Sequence, residues 1–131
     1  MRFEQAFAAI CRQVCEQEDW ELLPTGIVVR WGDGRHQLVS LEFFEFEREE
    51  LVRLSSTIGT VAQLQREQLI LALSTNAKLA HGALAIRNAQ LVMTDTLMVS
   101  GSDAEGIRAA IEYLARAADD YERTIYGTDQ H

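Results

Sequence analysis

The stretch IVVRWGDGRHQLVSLEFFEFEREELVRLSSTI, residues 27–58, decides the fold class because it carries three strand patterns in succession. Ile27–Trp31 is β-branched and aromatic, and Gly32-Asp33-Gly34 after it is typical of a hairpin turn. The second pattern covers His36–Glu47 and the third covers Leu51–Ile58. Strands joined by such short connections pair with their neighbours, so these residues predict an antiparallel meander.

The second of these strands is apolar on both faces. Leu41 and Phe43 fall on one face, and Leu38, Phe44 and Phe46 fall on the other. A sheet covered on one side normally alternates apolar residues inward with polar residues outward. The second apolar face therefore predicts either another polypeptide on the sheet or helices on both sides of it, and we favour a partner.

The residues on either side of the meander predict helices. Residues 2–17 form an amphipathic pattern before the meander, and Val61–Ala80 forms a helical pattern after it that is apolar nearly all round. A helix of that kind is buried on more than one side, in the core or against a partner.

A hairpin and a last helix complete the chain. Ala83–Arg87 and Gln90–Val99 predict two strands joined at Asn88-Ala89. Ser102-Asp103-Ala104-Glu105 has the pattern of a capping box and opens a helix that ends at Tyr126, before Gly127 and a frayed tail over 128–131. The predicted order is α-β-β-β-α-β-β-α, a single α+β domain over 1–131.

Composition and charge narrow the class of function. The chain has 131 residues, enough for one domain, and a formal net charge of −8. So negative a surface repels a phosphate backbone, which argues against nucleic acid and anionic membranes as partners. The charge either favours a basic polypeptide segment as a partner or serves only to keep the protein in solution. No apolar run is long enough to span a bilayer, and the first residues lack the pattern of a signal peptide. Cys11 and Cys15, four apart on one helix, predict neither a disulfide framework nor a zinc site, which indicates a reducing cytoplasm.

The residues that usually carry catalysis do not form a site in the sequence. His36, His81 and His131 have no metal-ligand spacing to one another or to a cysteine. Cys11 falls on the apolar stripe of its helix, and no glycine-rich phosphate loop is present. We therefore expect a protein that is not an enzyme and holds another polypeptide. A small-molecule-binding domain or an unrecognised enzyme is the alternative.

The second half of the chain resembles a known fold. Leu73-Ser74-Thr75-Asn76 ends a helix, Gly82-Ala83-Leu84-Ala85-Ile86 begins a strand, Leu91-Val92-Met93 and Leu97-Met98-Val99 continue the pair, and the helix Ser102–Tyr126 closes it. This layout and the order of elements from Phe3 to Tyr126 resemble the type III secretion chaperone fold of the Tir-chaperone (CesT) and YbjN-like families. The resemblance implies a homodimer that binds an extended N-terminal stretch of a secreted effector, without a cofactor. A YbjN-like regulatory protein that binds a folded partner is the alternative within the same fold.

The resemblance also suggests which residues make these contacts. Its dimer contacts commonly involve the second helix, which here points to Leu64, Leu69, Ile70 and Leu73. For the bound client segment we expect contacts with Phe43, Phe44, Phe46, Val52 and Leu54. Core packing would explain each of these residues as well.

Overall fold

The computed structural model describes residues 2–127 and confirms the predicted α+β class and element order. The helices are α1 (Arg2–Glu18), α2 (Arg66–Thr75) and α3 (Ala104–Tyr126). The strands are β1 (Glu21–Leu23), β2 (Gly26–Trp31), β3 (Arg35–Phe46), β4 (Glu49–Thr60), β5 (Ala83–Arg87) and β6 (Gln90–Met98). The short strand β1 was not predicted. The predicted frayed tail over 128–131 lies outside the described residues.

The six strands form one antiparallel sheet in the order β1-β2-β3-β4-β6-β5. Phe43 of β3 lies opposite Val52 of β4, and Val52 lies opposite Leu97 of β6. Because side chains alternate along a strand, these pairs and their neighbours two residues away share one face. We call this the inner face, and we call the opposite one, which carries Phe44, Leu51 and the residues in register with them, the outer face.

The core lies between the inner face and the helices. Val39, Val52 and Leu54 of the sheet are fully buried, as are Ile107 and Ile111 of α3. The side chain of Phe7, from α1, meets Phe43 edge-on at a ring-centroid distance of 5.8 Å. None of the helices within residues 2–127 is long and apolar enough to span a bilayer.

Two tight hairpin turns use left-handed backbone at residues other than glycine. Glu47 and Arg48 join β3 to β4 with φ of 51° and 68°, and Asn88 and Ala89 join β5 to β6 with φ of 53° and 62°. Positive φ at both central residues matches the right-handed twist of paired strands. Asparagine tolerates this conformation, whereas the Glu47-Arg48 turn carries strain that a glycine would relieve.

The predicted capping box at the start of α3 is wrong by one residue. Asp103, not Ser102, is the N-cap, and its carboxylate accepts a hydrogen bond from the backbone N–H of Gly106 at 2.7 Å. The Ser102 hydroxyl instead donates to the carbonyl of Met98. Glu105, the expected partner in the box, forms an ion pair with Arg108 at 2.7 Å. At the other end Gly127 closes the helix with φ of 83°, as predicted.

The second predicted helix is shorter than expected. A 3₁₀ turn covers Val61–Gln63, the regular helix runs from Arg66 to Thr75, and a second 3₁₀ turn covers Asn76–Lys78. The break falls at Leu64, which is extended. The side chain of Gln68 then accepts from the backbone N–H of Gln65 at 2.7 Å and fixes the new start.

Candidate protein-binding surfaces

The outer face carries no helix within the described residues, and several large apolar side chains at one end of it are partly or largely exposed to solvent. Phe44, Leu51 and Met98 lie opposite one another across β3, β4 and β6. Phe46 extends the same end of the face and is 61% exposed, while Met98 is 51% exposed. We call Phe44, Phe46, Leu51 and Met98 the outer apolar cluster. Large apolar side chains grouped in this way are typical of a surface that contacts another polypeptide.

The structure divides the predicted client-binding residues between the two faces. Phe44 and Phe46 belong to the outer apolar cluster, whereas Phe43, Val52 and Leu54 lie on the inner face. Val52 and Leu54 have no exposed surface, and Phe43 packs on Phe7 beneath α1. A client could reach these three residues only if the core opened, so the prediction stays open for Phe44 and Phe46 alone.

Sequence reasoning missed Leu51 and Met98. Both alternate correctly within their own strands, but only the pairing of β4 with β6 places them beside Phe44. That pairing joins strands separated by the whole of α2, which a periodic pattern does not encode.

A second apolar surface lies on α2 and the adjoining edge strand β5. Ile70, Leu73 and Ile86 are exposed, with Leu73 at 69%, and we call these three residues the α2 patch. Beside it lies an apolar depression of about 270 Å³ lined by Leu69, Ala72, Leu73, Leu84, Ala85, Ile86 and Leu91. Within α2, Ala72 is the buried residue, so most of this apolar helix is uncovered.

The predicted dimer residues fall on and around this patch. Ile70 and Leu73 are exposed within it, whereas Leu64 and Leu69 are half-buried. Leu69 lines the depression with Leu73, and Leu64 packs against the core. The structure thus brings three of the four residues to one end of the molecule and uses Leu64 to attach the segment to the domain.

Asn76 shapes the edge of the sheet at the same place. Its amide donates to the carbonyl of Leu84 at 3.0 Å and accepts from the backbone N–H of Leu84 at 2.7 Å. Since β5 is an edge strand, these are the groups that would otherwise pair with a further strand. Asn76 therefore prevents a further strand from pairing with β5 at Leu84. A partner at this edge of the sheet would contact the side chains of the α2 patch instead.

Titratable groups do not assemble into a reactive centre in residues 2–127. Both cysteines are free and buried. Burial raises the pKa of the Cys11 thiol to about 12, with the neighbouring Cys15 adding to the effect, and burial also raises the pKa of Cys15. His36 and His81 are exposed, and His81 packs edge-on against the Tyr113 ring at 5.7 Å. Within the described part of the chain no group of three or more histidine, cysteine and carboxylate side chains is placed to hold a metal ion.

Two solved structures share the architecture of this chain over most of its length. A chain of the heterodimeric ExoU–SpcU complex from the type III secretion system of Pseudomonas aeruginosa matches with a TM-score of 0.58 at 14% identity, covering 88% of this chain and 98% of that one. A chain of the HopA1–SchA chaperone–effector complex matches with a TM-score of 0.57 at 6% identity, covering 91% of each chain. The protein has the fold of the type III secretion chaperones.

The remaining comparisons add little to this fold assignment. YbjN from E. coli, at 16% identity and covering 86% of this chain and 83% of that one, has a TM-score of 0.45, too low to bear on the argument. No protein-family model matches the sequence, and no curated protein matches it. At the identities of the two secretion complexes the likeness is one of fold, so function must be argued from the surfaces of this chain.

Proposed function

We propose that this protein is a non-catalytic chaperone that works in the cytoplasm as a homodimer and holds an extended segment of a client protein. The observation that carries the proposal is the outer apolar cluster, where Phe44, Leu51 and Met98 meet in register on a face that no helix of residues 2–127 covers. The resemblance in fold to a chaperone–effector complex supports the same reading. Two free buried cysteines fit a reducing compartment.

The client segment would lie on the outer face and cover the outer apolar cluster. Covering apolar surface is favourable by about 25 cal/mol per Å², so a few large side chains in contact with the cluster supply most of the binding free energy. An extended segment also suits a sheet surface, because its side chains repeat at the spacing of those on the strands beneath it.

Dimer formation would use the α2 patch. Ile70, Leu73 and Ile86 together expose an apolar surface at the end of the molecule, and Asn76 stops a simple extension of the sheet there. A two-fold contact would pack the α2 patch of one protomer against that of its partner and fill the depression beside Leu73.

Light scattering coupled to size-exclusion chromatography tests the dimer. We expect a mass near twice 14.8 kDa for the natural protein and near 14.8 kDa for Leu73→Glu. Leu38→Glu, which places the same charge on the outer face, is the control and should remain dimeric. A monomeric natural protein, or a Leu73→Glu variant that stays dimeric, contradicts this interface.

Co-purification of a client with the tagged protein from the cells that naturally produce it, followed by limited proteolysis of the complex and of the isolated client, tests the client. We expect the complex to protect one continuous segment of the client that is cleaved rapidly when the client is alone. Protection of an already folded domain would contradict chaperone function and favour the regulatory alternative.

A further inference from the structure

The outer face also holds a polar depression beside the outer apolar cluster. It has a volume of about 260 Å³, and its polar lining includes Ser40, Glu42, Arg53, Ser55, Arg87 and Gln90. Val92, a further lining residue, is only 6% exposed, although no helix within residues 2–127 covers this face. The register of β4 with β6 shifts between Thr57, which also lines the depression, and Gly59, and an irregularity of this kind bends and twists a strand.

The charges of this outer depression are unbalanced. It contains two guanidinium groups, from Arg53 and Arg87, and one carboxylate, from Glu42. Arg87 reaches across two intervening strands and donates to Glu42 at 3.0 Å. Glu42 lies directly opposite Arg53 in the sheet register, yet its ion pair is with Arg87. One positive charge is therefore left at Arg53, on a protein whose net charge is −8.

The Arg53 side chain stacks on an aromatic ring of the outer apolar cluster. Its guanidinium carbon lies 4.3 Å from the centroid of the Phe44 ring, and the residue is half-buried. Stacking of this kind orients the planar guanidinium without using its hydrogen-bond donors. Among residues 2–127, no carboxylate lies within ion-pair distance of Arg53. Arg12, Arg48 and Arg66 also lack such a partner, but these three residues are exposed to solvent, whereas Arg53 is half-buried.

We propose that the outer depression binds the carboxylate of an acidic side chain in the client segment, with Arg53 as its principal ligand. A carboxylate would neutralise the depression and accept the paired N–H donors of a guanidinium. The inference rests on the proposed function, because the carboxylate is delivered by a bound polypeptide.

The geometry also predicts the spacing of the client motif. The row that contains Glu42 lies two residues along the strands from the row that contains Leu51 and Met98. Met98 is 51% exposed in that row, whereas Phe44 is covered there by the Arg53 guanidinium. Two residues of extended chain span about 6.8 Å, the same distance that separates neighbouring side chains on one side of a client strand. The client segment should therefore carry a large apolar residue and an acidic residue at positions i and i+2.

Titration of the ¹⁵N-labelled protein with short peptides, followed by amide chemical shifts, tests this inference. The probes are acetyl-Leu-Ser-Glu-Ser-amide, the same peptide with glutamine in place of glutamate, and acetyl-Leu-Glu-Ser-Ser-amide. We expect the first peptide to shift the amides of Ser40, Ser55 and Gln90, and to bind about tenfold more tightly than the other two.

Matched variants assign the effect to Arg53. Arg53→Gln should lower the affinity for the first peptide to the affinity for the glutamine peptide. Arg53→Lys should lower the affinity for the first peptide less, because lysine keeps the positive charge but lacks the paired N–H donors of a guanidinium. Arg12→Gln, at an exposed position on α1, should change nothing. Amide spectra show whether each variant is folded.

Several outcomes overturn the inference. Equal affinity for the glutamate and glutamine peptides, no detectable binding of the glutamate peptide, or undiminished binding by Arg53→Gln would each do so. Binding of inorganic phosphate at Arg53 without binding of the glutamate peptide would show a free-anion site instead. If both peptides bind equally and Phe44→Ser abolishes the binding, the carboxylate site is wrong and the proposed segment-binding function stands.

Discussion

Tyr126, near the end of α3, lies directly over Gly59 of β4, and replacing this glycine by alanine should destabilise the fold. A Cβ added at Gly59 would stand 2.4 Å from the Tyr126 ring, well inside van der Waals contact. The ring would have to leave its place, which breaks the hydrogen bond from the Tyr126 hydroxyl to the carbonyl of Thr60 at 2.7 Å. The hydrogen bond from Tyr126 therefore connects the C-terminal end of α3 to β4, the strand whose register shift lies beside the outer depression.

The magnitude follows from what the displaced ring loses. The hydrogen bond contributes about 1 kcal/mol, and partial loss of packing around a half-buried aromatic ring costs about 1–2 kcal/mol. In the opposite direction, replacing a strand glycine by alanine stabilises the folded state by about 0.5–1 kcal/mol, because less backbone entropy is lost on folding. The net loss is about 2 kcal/mol, which lowers Tm by about 6–10 °C for a chain of this length.

Thermal unfolding followed by circular dichroism measures the effect. Gly32→Ala is the control, because nothing lies within 4 Å of a Cβ at that position. The reasoning also predicts that Gly59→Ala has little effect in a Tyr126→Ala background, where the ring is absent. An unchanged Tm for Gly59→Ala, or the same loss with and without the ring, would refute it.

Three further predictions concern stability and reactivity. Arg48→Gly should stabilise the protein by about 1 kcal/mol in urea unfolding, because it relieves a φ of 68°, and a loss of stability would refute the strained turn. Asp103→Ala should lower the free energy of unfolding in urea by about 1 kcal/mol, and by more than Ser102→Ala does, because Asp103 caps α3. A larger loss for Ser102→Ala would contradict Asp103 as the N-cap and support the capping box predicted from the sequence. Cys11 and Cys15 should react with a thiol-specific disulfide reagent at pH 8 only as fast as the protein unfolds, because burial raises both pKa values; rapid reaction of the native protein would contradict this.

The sequence predicted the faces of individual strands well because alternation is local. Leu38 and Phe44 fall opposite Leu41 and Phe43, as the two-residue period requires. The same two-residue period places Phe43 and Phe44 on opposite faces of β3. One client surface that includes both residues is therefore inconsistent with the period. The sequence pattern therefore predicts which residues of a strand share a face. It does not predict which of the two faces of the sheet the helices cover.

Features that depend on pairing between distant segments could not be read from the pattern. Met98 joins Phe44 and Leu51 only through the register of β4 with β6. Arg53 and Glu42 could be seen as opposite charges on neighbouring strands, but the ion pair of Arg87 with Glu42 depends on the strand order, which places β5 on the same side of β3 as β4, with two strands between β3 and β5. The unbalanced charge of the outer depression is therefore a property of the tertiary structure.

Site-specific photocrosslinking in the complex with the client tests the central claim most directly. A benzoylphenylalanine replaces Phe46 in the outer apolar cluster, and in a matched sample it replaces Leu22, which is 41% exposed on the inner-face side of β1. The proposed function predicts crosslinks from position 46, and few from position 22, to one continuous client segment that is unstructured when free. Crosslinks from position 22 alone, or from position 46 to scattered residues of a folded domain, would contradict it.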